Sequence, residues 1–86
     1  MIVRTIEVAA GQTLTVNTEG GSGDADLFVN FGSQVSEWWE ADCTSRGSGN
    51  NETCVIENAQ AGTYHITIKA YQGELFEGLT LTANAE

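Results

Sequence analysis

Apolar and polar residues alternate along most of this chain, the pattern of strands that turn one face to a core. The stretch Gly23 to Gly32 sets the frame. Ala25, Leu27, Val29 and Phe31 fall on one face, while Asp24, Asp26, Phe28 and Asn30 fall on the other. The first face is expected to make core and the second to meet solvent. Thr5–Val8 and Thr13–Asn17 alternate in the same way about a turn at Ala10-Gly11-Gln12, and read as an antiparallel pair. Glu19–Gly23 holds three glycines and reads as loop.

After the central strand, Val35–Cys43 reads as extended, so adjacent Trp38 and Trp39 point to opposite sides. With Cys43 inward, parity sends Trp39 to the core and Trp38 to solvent. Thr53–Glu57 is a short strand and Asn58–Gly62 a turn. Thr63–Tyr71 is the longest clean alternation, burying Tyr64, Ile66, Ile68 and Ala70 and exposing His65, Thr67, Lys69 and Tyr71. Gln72–Gly78 reads as a loop carrying Leu75 and Phe76, and Leu79–Ala83 as the last strand. No helix of useful length is read. About seven to eight short strands separated by glycine turns predict an all-β fold, an antiparallel β-sandwich of jelly-roll-like form.

Eighty-six residues make one small domain, of a size that buries only ~60–65% of the surface its unfolded chain exposes. An internal active-site cavity has little room, so ligands are expected on the outside. Three Lys and Arg against 12 Asp and Glu give a formal charge of −9. Nucleic acid and anionic membranes need a basic patch, which Arg4, Arg46 and Lys69 do not make. No apolar run approaches the ~18 residues of a membrane span. Met1 leads straight into Ile2-Val3-Arg4 without a charged and apolar leader. The expectation is a single domain over residues 1–86, excised from a larger secreted protein, extracellular and monomeric.

Cys43 and Cys54 flank ten polar and small residues. Two thiols and one histidine do not make a four-ligand zinc site, so a disulfide closing a loop is the better account. In the loop-entropy model it contributes ~3 kcal/mol, and it places the protein outside the reducing cytosol.

Catalysis finds little support. Asp24 and Asp26 stand side by side on one strand, ~6–7 Å apart, whereas glycosidase carboxylates flank a bond from opposing sides. His65 has no serine or cysteine nucleophile in a local motif. No cofactor is required, and a structural calcium is the one candidate: hard cations take oxygens from carboxylates and carbonyls, and Asp24 and Asp26 are the residues to offer them. The other reading of these aspartates is a tether to turn amides, and the two stay open. Exposed rings offer a polymer-binding platform, since a flat aromatic face stacks on a sugar or a proline-rich chain. Phe28, Trp38, Tyr71 and Phe76 are the candidates, with Trp39 in reserve. Asn51-Glu52-Thr53 also matches a glycosylation sequon, read as incidental.

Gly23-Asp24-Ala25-Asp26-Leu27-Phe28-Val29, Phe31-Gly32-Ser33, Asp42-Cys43, Ser48 to Cys54, Ala61-Gly62-Thr63-Tyr64-His65-Ile66, Ala70-Tyr71 and Gly78-Leu79-Thr80-Leu81 occur in that order. Together they resemble the bacterial pre-peptidase C-terminal domain, over about residues 5 to 83. The resemblance implies a compact β-sandwich, related in fold to clostridial collagen-binding domains and appended to secreted bacterial peptidases and some polysaccharide-degrading enzymes. It implies no catalysis, and in several members attachment to insoluble polymers such as collagen or chitin. Where the family often has aromatics, two before the first cysteine and within the cysteine loop, this chain has Ala41 and Arg46. The Trp38-Trp39 pair stands upstream instead. The expected role is a non-catalytic accessory module of a secreted hydrolase, with its catalytic domain in cis, that binds an insoluble polysaccharide such as chitin, or collagen. The alternative is a structural or processing module that assists secretion or folding of the parent peptidase without a tight ligand.

Overall fold

The structure is a computed structural model that describes residues 2–21, 23–35, 37–47, 50–70 and 78–86. Among them run seven strands: β1 (Ile2–Val8), β2 (Leu14–Glu19), β3 (Ala25–Phe31), β4 (Cys43–Ser45), β5 (Glu52–Ile56), β6 (Gly62–Ala70) and β7 (Thr80–Ala85). They form two sheets in which every pairing is antiparallel. One has the order β1-β6-β3-β4 and the other β5-β2-β7. Alternating residues of both sheets fill the space between: Leu14 and Val16 from β2, Ala25, Leu27 and Val29 from β3, Cys54 from β5, and Tyr64, Ile66 and Ile68 from β6. The period-2 pattern of the sequence produces this interior directly, because one register of each strand carries nearly all its aliphatic mass.

The Cys43–Cys54 disulfide joins β4 to β5, with Cα atoms 6.0 Å apart. It therefore bridges the two sheets along one edge. Gly62, at the start of β6, has a φ of 142°, and a Cβ there would lie 2.8 Å from Phe31 Cε1. Only glycine fits that approach. Phe31 in turn packs at a tilt against Tyr64, with ring centroids 5.1 Å apart and planes 57° from parallel.

The first two strands, read as an antiparallel pair, lie in different sheets, β1 pairing with β6 and β2 with β5 and β7, and three other expectations need correction. First, the second face of the central strand is not open: Ala25 through Asn30 are all buried, and Phe28 is only 3% exposed. The chain between β3 and β4 folds back over this face. Asn30 Nδ2 donates to the Ser33 carbonyl at 3.1 Å, the Phe31 amide donates to Asp42 Oδ2 at 2.9 Å, and Thr67 Oγ1 of β6 donates to the Val35 carbonyl at 3.2 Å. Thr67, read as outward, is 1% exposed for the same reason. Second, the stretch read as extended over Val35–Cys43 is broken, since Trp38–Glu40 form a 3-10 turn closed by the Glu40 amide on the Glu37 carbonyl. The parity argument loses its premise there, and Trp39 lies outside the core at 65% exposure. Third, the strand β4 begins at Cys43 and enters what reads in sequence as loop.

Candidate functional site

Two places on this fold carry chemistry worth building up. The first is the strap of residues 32–42. It leaves β3 at Gly32, whose positive φ of 85° turns the chain back, crosses the outer face of β3 and β6, and returns to β4. Glu37 reaches Lys69 Nζ at 3.6 Å, pinning the strap to β6. Both partners are about two-fifths exposed, so the pair contributes little stability. Trp39, in the 3-10 turn of the strap, is exposed, with Glu37, Glu40 and Asp42 within three residues of it in sequence.

The second place is a group of carboxylates beside the cystine loop. Asp26 is 8% exposed and Glu52 2%. Asp24 Oδ1, Asp26 Oδ1 and Glu52 Oε1 are buried oxygens without a hydrogen-bond partner. Burial raises the pKa of Asp26 above its ordinary value, and the charges of Asp24 and Glu52 raise it further, while Arg46 and Lys69 pull it back. Glu52 is held by its other oxygen, which accepts from Ser45 Oγ and from the Gly47 amide. Thr18 Oγ1 donates to the Asn50 carbonyl at 2.7 Å and accepts from the Glu52 amide at 3.2 Å. Asn50 in turn accepts from the Ala25 amide at 3.0 Å and donates to the Gly20 carbonyl at 2.9 Å.

Sequence reasoning placed Asp24 and Asp26 here but missed Thr18, Asn50 and Glu52. The signal was the run Asn50-Asn51-Glu52-Thr53-Cys54, read for a sequon. Its residues instead staple the cystine loop to β2 and to the start of β3. Among the described residues no three acidic, histidine or cysteine side chains are grouped to hold a metal ion.

The remaining site candidates divide plainly. Phe28, as noted, lies under the strap and offers no ring to the surface. Cys43 and Cys54 are bonded to each other. Tyr71 and Phe76 lie outside the described residues, as does the side chain of Trp38. No helix among the described residues is long and apolar enough to cross a membrane.

The family model described as bacterial pre-peptidase C-terminal domain matches residues 3–70. The chain is 43% identical over 81 residues to alkaline serine exoprotease A of Vibrio alginolyticus, covering 92% of this chain and 14% of that protein. It is 42% identical over 79 residues to virulence metalloprotease of Vibrio anguillarum, covering 90% of this chain and 12% of that protein. With the extracellular protease of Xanthomonas campestris pv. campestris the identity is 51% over 81 residues, covering 93% of this chain and 13% of that protein. No solved structure matches. The chain thus spans about one-eighth to one-seventh of these relatives, the share of an accessory domain. The central strand β3, the cystine and the Asn50–Cys54 staple all fall within the matched span, and the chain belongs to the bacterial pre-peptidase C-terminal domain family.

Proposed function

We propose that this domain is a non-catalytic accessory module that attaches a secreted hydrolase, its catalytic domain in cis, to an insoluble polymer. The observation that carries the reading is Trp39, a large apolar ring 65% exposed in the 3-10 turn of the strap. A flat indole face stacks on a sugar ring or a proline-rich chain while nearby carboxylates accept hydrogen bonds from its edges. Glu40 adjoins Trp39 in sequence and is exposed, as is Asp42 three residues on, whose Oδ1 is the oxygen not engaged by the Phe31 amide. Hydroxyl-rich polysaccharide such as chitin fits these acceptors better than collagen. An extracellular setting is supported by the disulfide and by the similarity to the extracellular protease of Xanthomonas.

Retention on insoluble chitin, cellulose and collagen tests this. The wild-type domain is expected to be retained on chitin, and Trp39→Ala to pass through with a melting temperature within about 2 °C of wild type, as for a surface substitution. Wild-type retention that survives Trp39→Ala rejects the platform. Failure of the wild type to bind any polymer rejects the whole reading in favour of a structural or processing module. An apolar cleft between β1 and β7, lined by residues including Ile2, Ile6 and Leu81, is the feature that favours this second reading.

A further inference from the structure

Counted from the edge closed by the disulfide, one sheet runs β4, β3, β6, β1 and the other β5, β2, β7, so β1 overhangs the smaller sheet by one strand. Beneath the overhang lies an apolar cleft of about 520 Å³. Ile66 and Ile68 of β6, both buried, form its floor, and Ile2 and Ile6 of β1 with Leu81 and Ala83 of β7 form its walls. Arg4 lines it too. The register sets Ile2, Arg4 and Ile6 opposite Ile68, Ile66 and Tyr64, and directly paired residues share one face of a sheet. Arg4 therefore stands on the core-facing side of β1, between two isoleucines, where alternation calls for an apolar residue. It is exposed there because the smaller sheet ends before it.

The sign of that charge runs against the rest of the molecule. The chain has 12 acidic and 3 basic residues, yet among the described residues the cleft is lined by Arg4 and by no acidic side chain. Arg4 Nη1 donates to the Val3 carbonyl at 2.8 Å, and among the described residues no carboxylate pairs with it. A guanidinium carries five N–H groups, so most of them face solvent or a ligand. Backbone adds a third feature: among the described residues β7 pairs with β2 alone, and its other edge offers a row of donors and acceptors. An alkyl chain with an acid head would fill the walls and reach Arg4 but leave the β7 edge unused. An extended chain with apolar side chains throughout would pair with β7 but strip water from Arg4 and give nothing back. An extended polypeptide with a carboxylate facing Arg4 satisfies the edge, the walls and the guanidinium together.

We propose that the cleft docks an extended segment of a partner polypeptide, which adds to the free edge of β7 and turns an apolar, an acidic and an apolar side chain, at alternate positions, toward Ile2, Arg4 and Ile6. The formal charge of −9 makes the site selective, because an acidic segment is repelled by the surface at large and held only where Arg4 answers it. Trp39 belongs to the strap over the outer face of the larger sheet, so this site is separate from the polymer platform.

Fluorescence polarisation tests this with a labelled peptide of about seven residues, in which valine, glutamate and valine alternate with threonines, and with the same peptide carrying glutamine for glutamate. The 86-residue chain is expected to bind the glutamate peptide at least about tenfold more tightly, the difference shrinking as salt rises. Arg4→Gln is expected to remove that preference while the weaker binding of the glutamine peptide stays. Arg4 is exposed, so the variant is expected to keep its melting temperature, and Arg4→Lys, which keeps the charge without the fork, to restore part of the preference. Bound glutamate peptide is expected to slow exchange at the β7 amides not bonded to β2. Equal binding of the two peptides, a preference that survives Arg4→Gln, or slowed exchange on the outer edge of β1 instead of β7 overturns the proposal. Binding of neither peptide also overturns it, and assigns Arg4 to the other use of an inward charge, keeping a sheet edge from pairing with a second copy.

Discussion

Replacing both Cys43 and Cys54 by alanine removes the covalent joint between the sheets. The bridge spans a sequence separation of 11, for which the loop-entropy relation gives ~3 kcal/mol. Because β4 is three residues long and is the only strand on that side of β3, little else holds its position. Unfolding entropy of ~2.1 cal/mol/K per residue, over a chain of this length, converts that loss to a fall in Tm of about 15 °C. Calorimetry of the wild type and the double-alanine variant at equal pH measures it directly. Reduction of the wild type with dithiothreitol is expected to give a fall of the same size. A shift under about 5 °C by both routes would refute the reasoning, because it would mean that the unfolded chain gains almost no freedom when the ring opens.

Three further outcomes follow from individual residues. Gly62→Ala forces a Cβ to 2.8 Å from Phe31 at a φ glycine tolerates best, and is expected to lower stability by about 1–3 kcal/mol in urea titration; an unchanged midpoint would show that Phe31 yields freely. The raised pKa of Asp26 means that the fold favours its protonated form: that contribution is full below the ordinary value of 3.8 and lost as pH rises through the raised one. Asp26→Asn is therefore expected to stabilise the domain at neutral pH, with the gain fading below about pH 4, and a loss at neutral pH would show that attraction to Arg46 and Lys69 outweighs burial. A chelator is expected to leave Tm unchanged, since Arg46 and Lys69 already oppose the carboxylate charge around Asp26; a fall restored by calcium would assign the unpaired oxygens of Asp24 and Asp26 to an ion.

Alternation in the sequence was enough to locate most strands, because a half-buried strand has to separate its faces residue by residue. β3 and β6 show this best, and their core positions Leu27, Val29, Ile66 and Ile68 are those the pattern names. The same rule failed on the other side of those strands. Phe28 and Thr67 alternate as outward residues do, but a strap eleven positions long folds over them, and alternation carries no trace of a cover supplied from elsewhere in the chain. Trp39 was misplaced for a related reason: parity along a strand means nothing across a 3-10 turn. The carboxylate group was half legible. Asp24 and Asp26 declare themselves on one strand, whereas Glu52 joins them only because the cystine brings β5 alongside β4.

The strand order also governs how the molecule must come together. Of the sheet pairings, only β3 with β4 joins strands consecutive in the chain; β1 must find β6, and β2 must find β7, across most of the sequence. Contacts so distant require the chain to surrender much of its freedom before most of the sheet forms, which puts folding in the millisecond-to-second range rather than that of helical bundles. Such a chain spends longer with unpaired edges, and a cystine that already links residues 43 and 54 shortens that search. Refolding of the oxidised chain should accordingly outpace that of the reduced one, and the module's passage to its working state is set by topology as much as by stability.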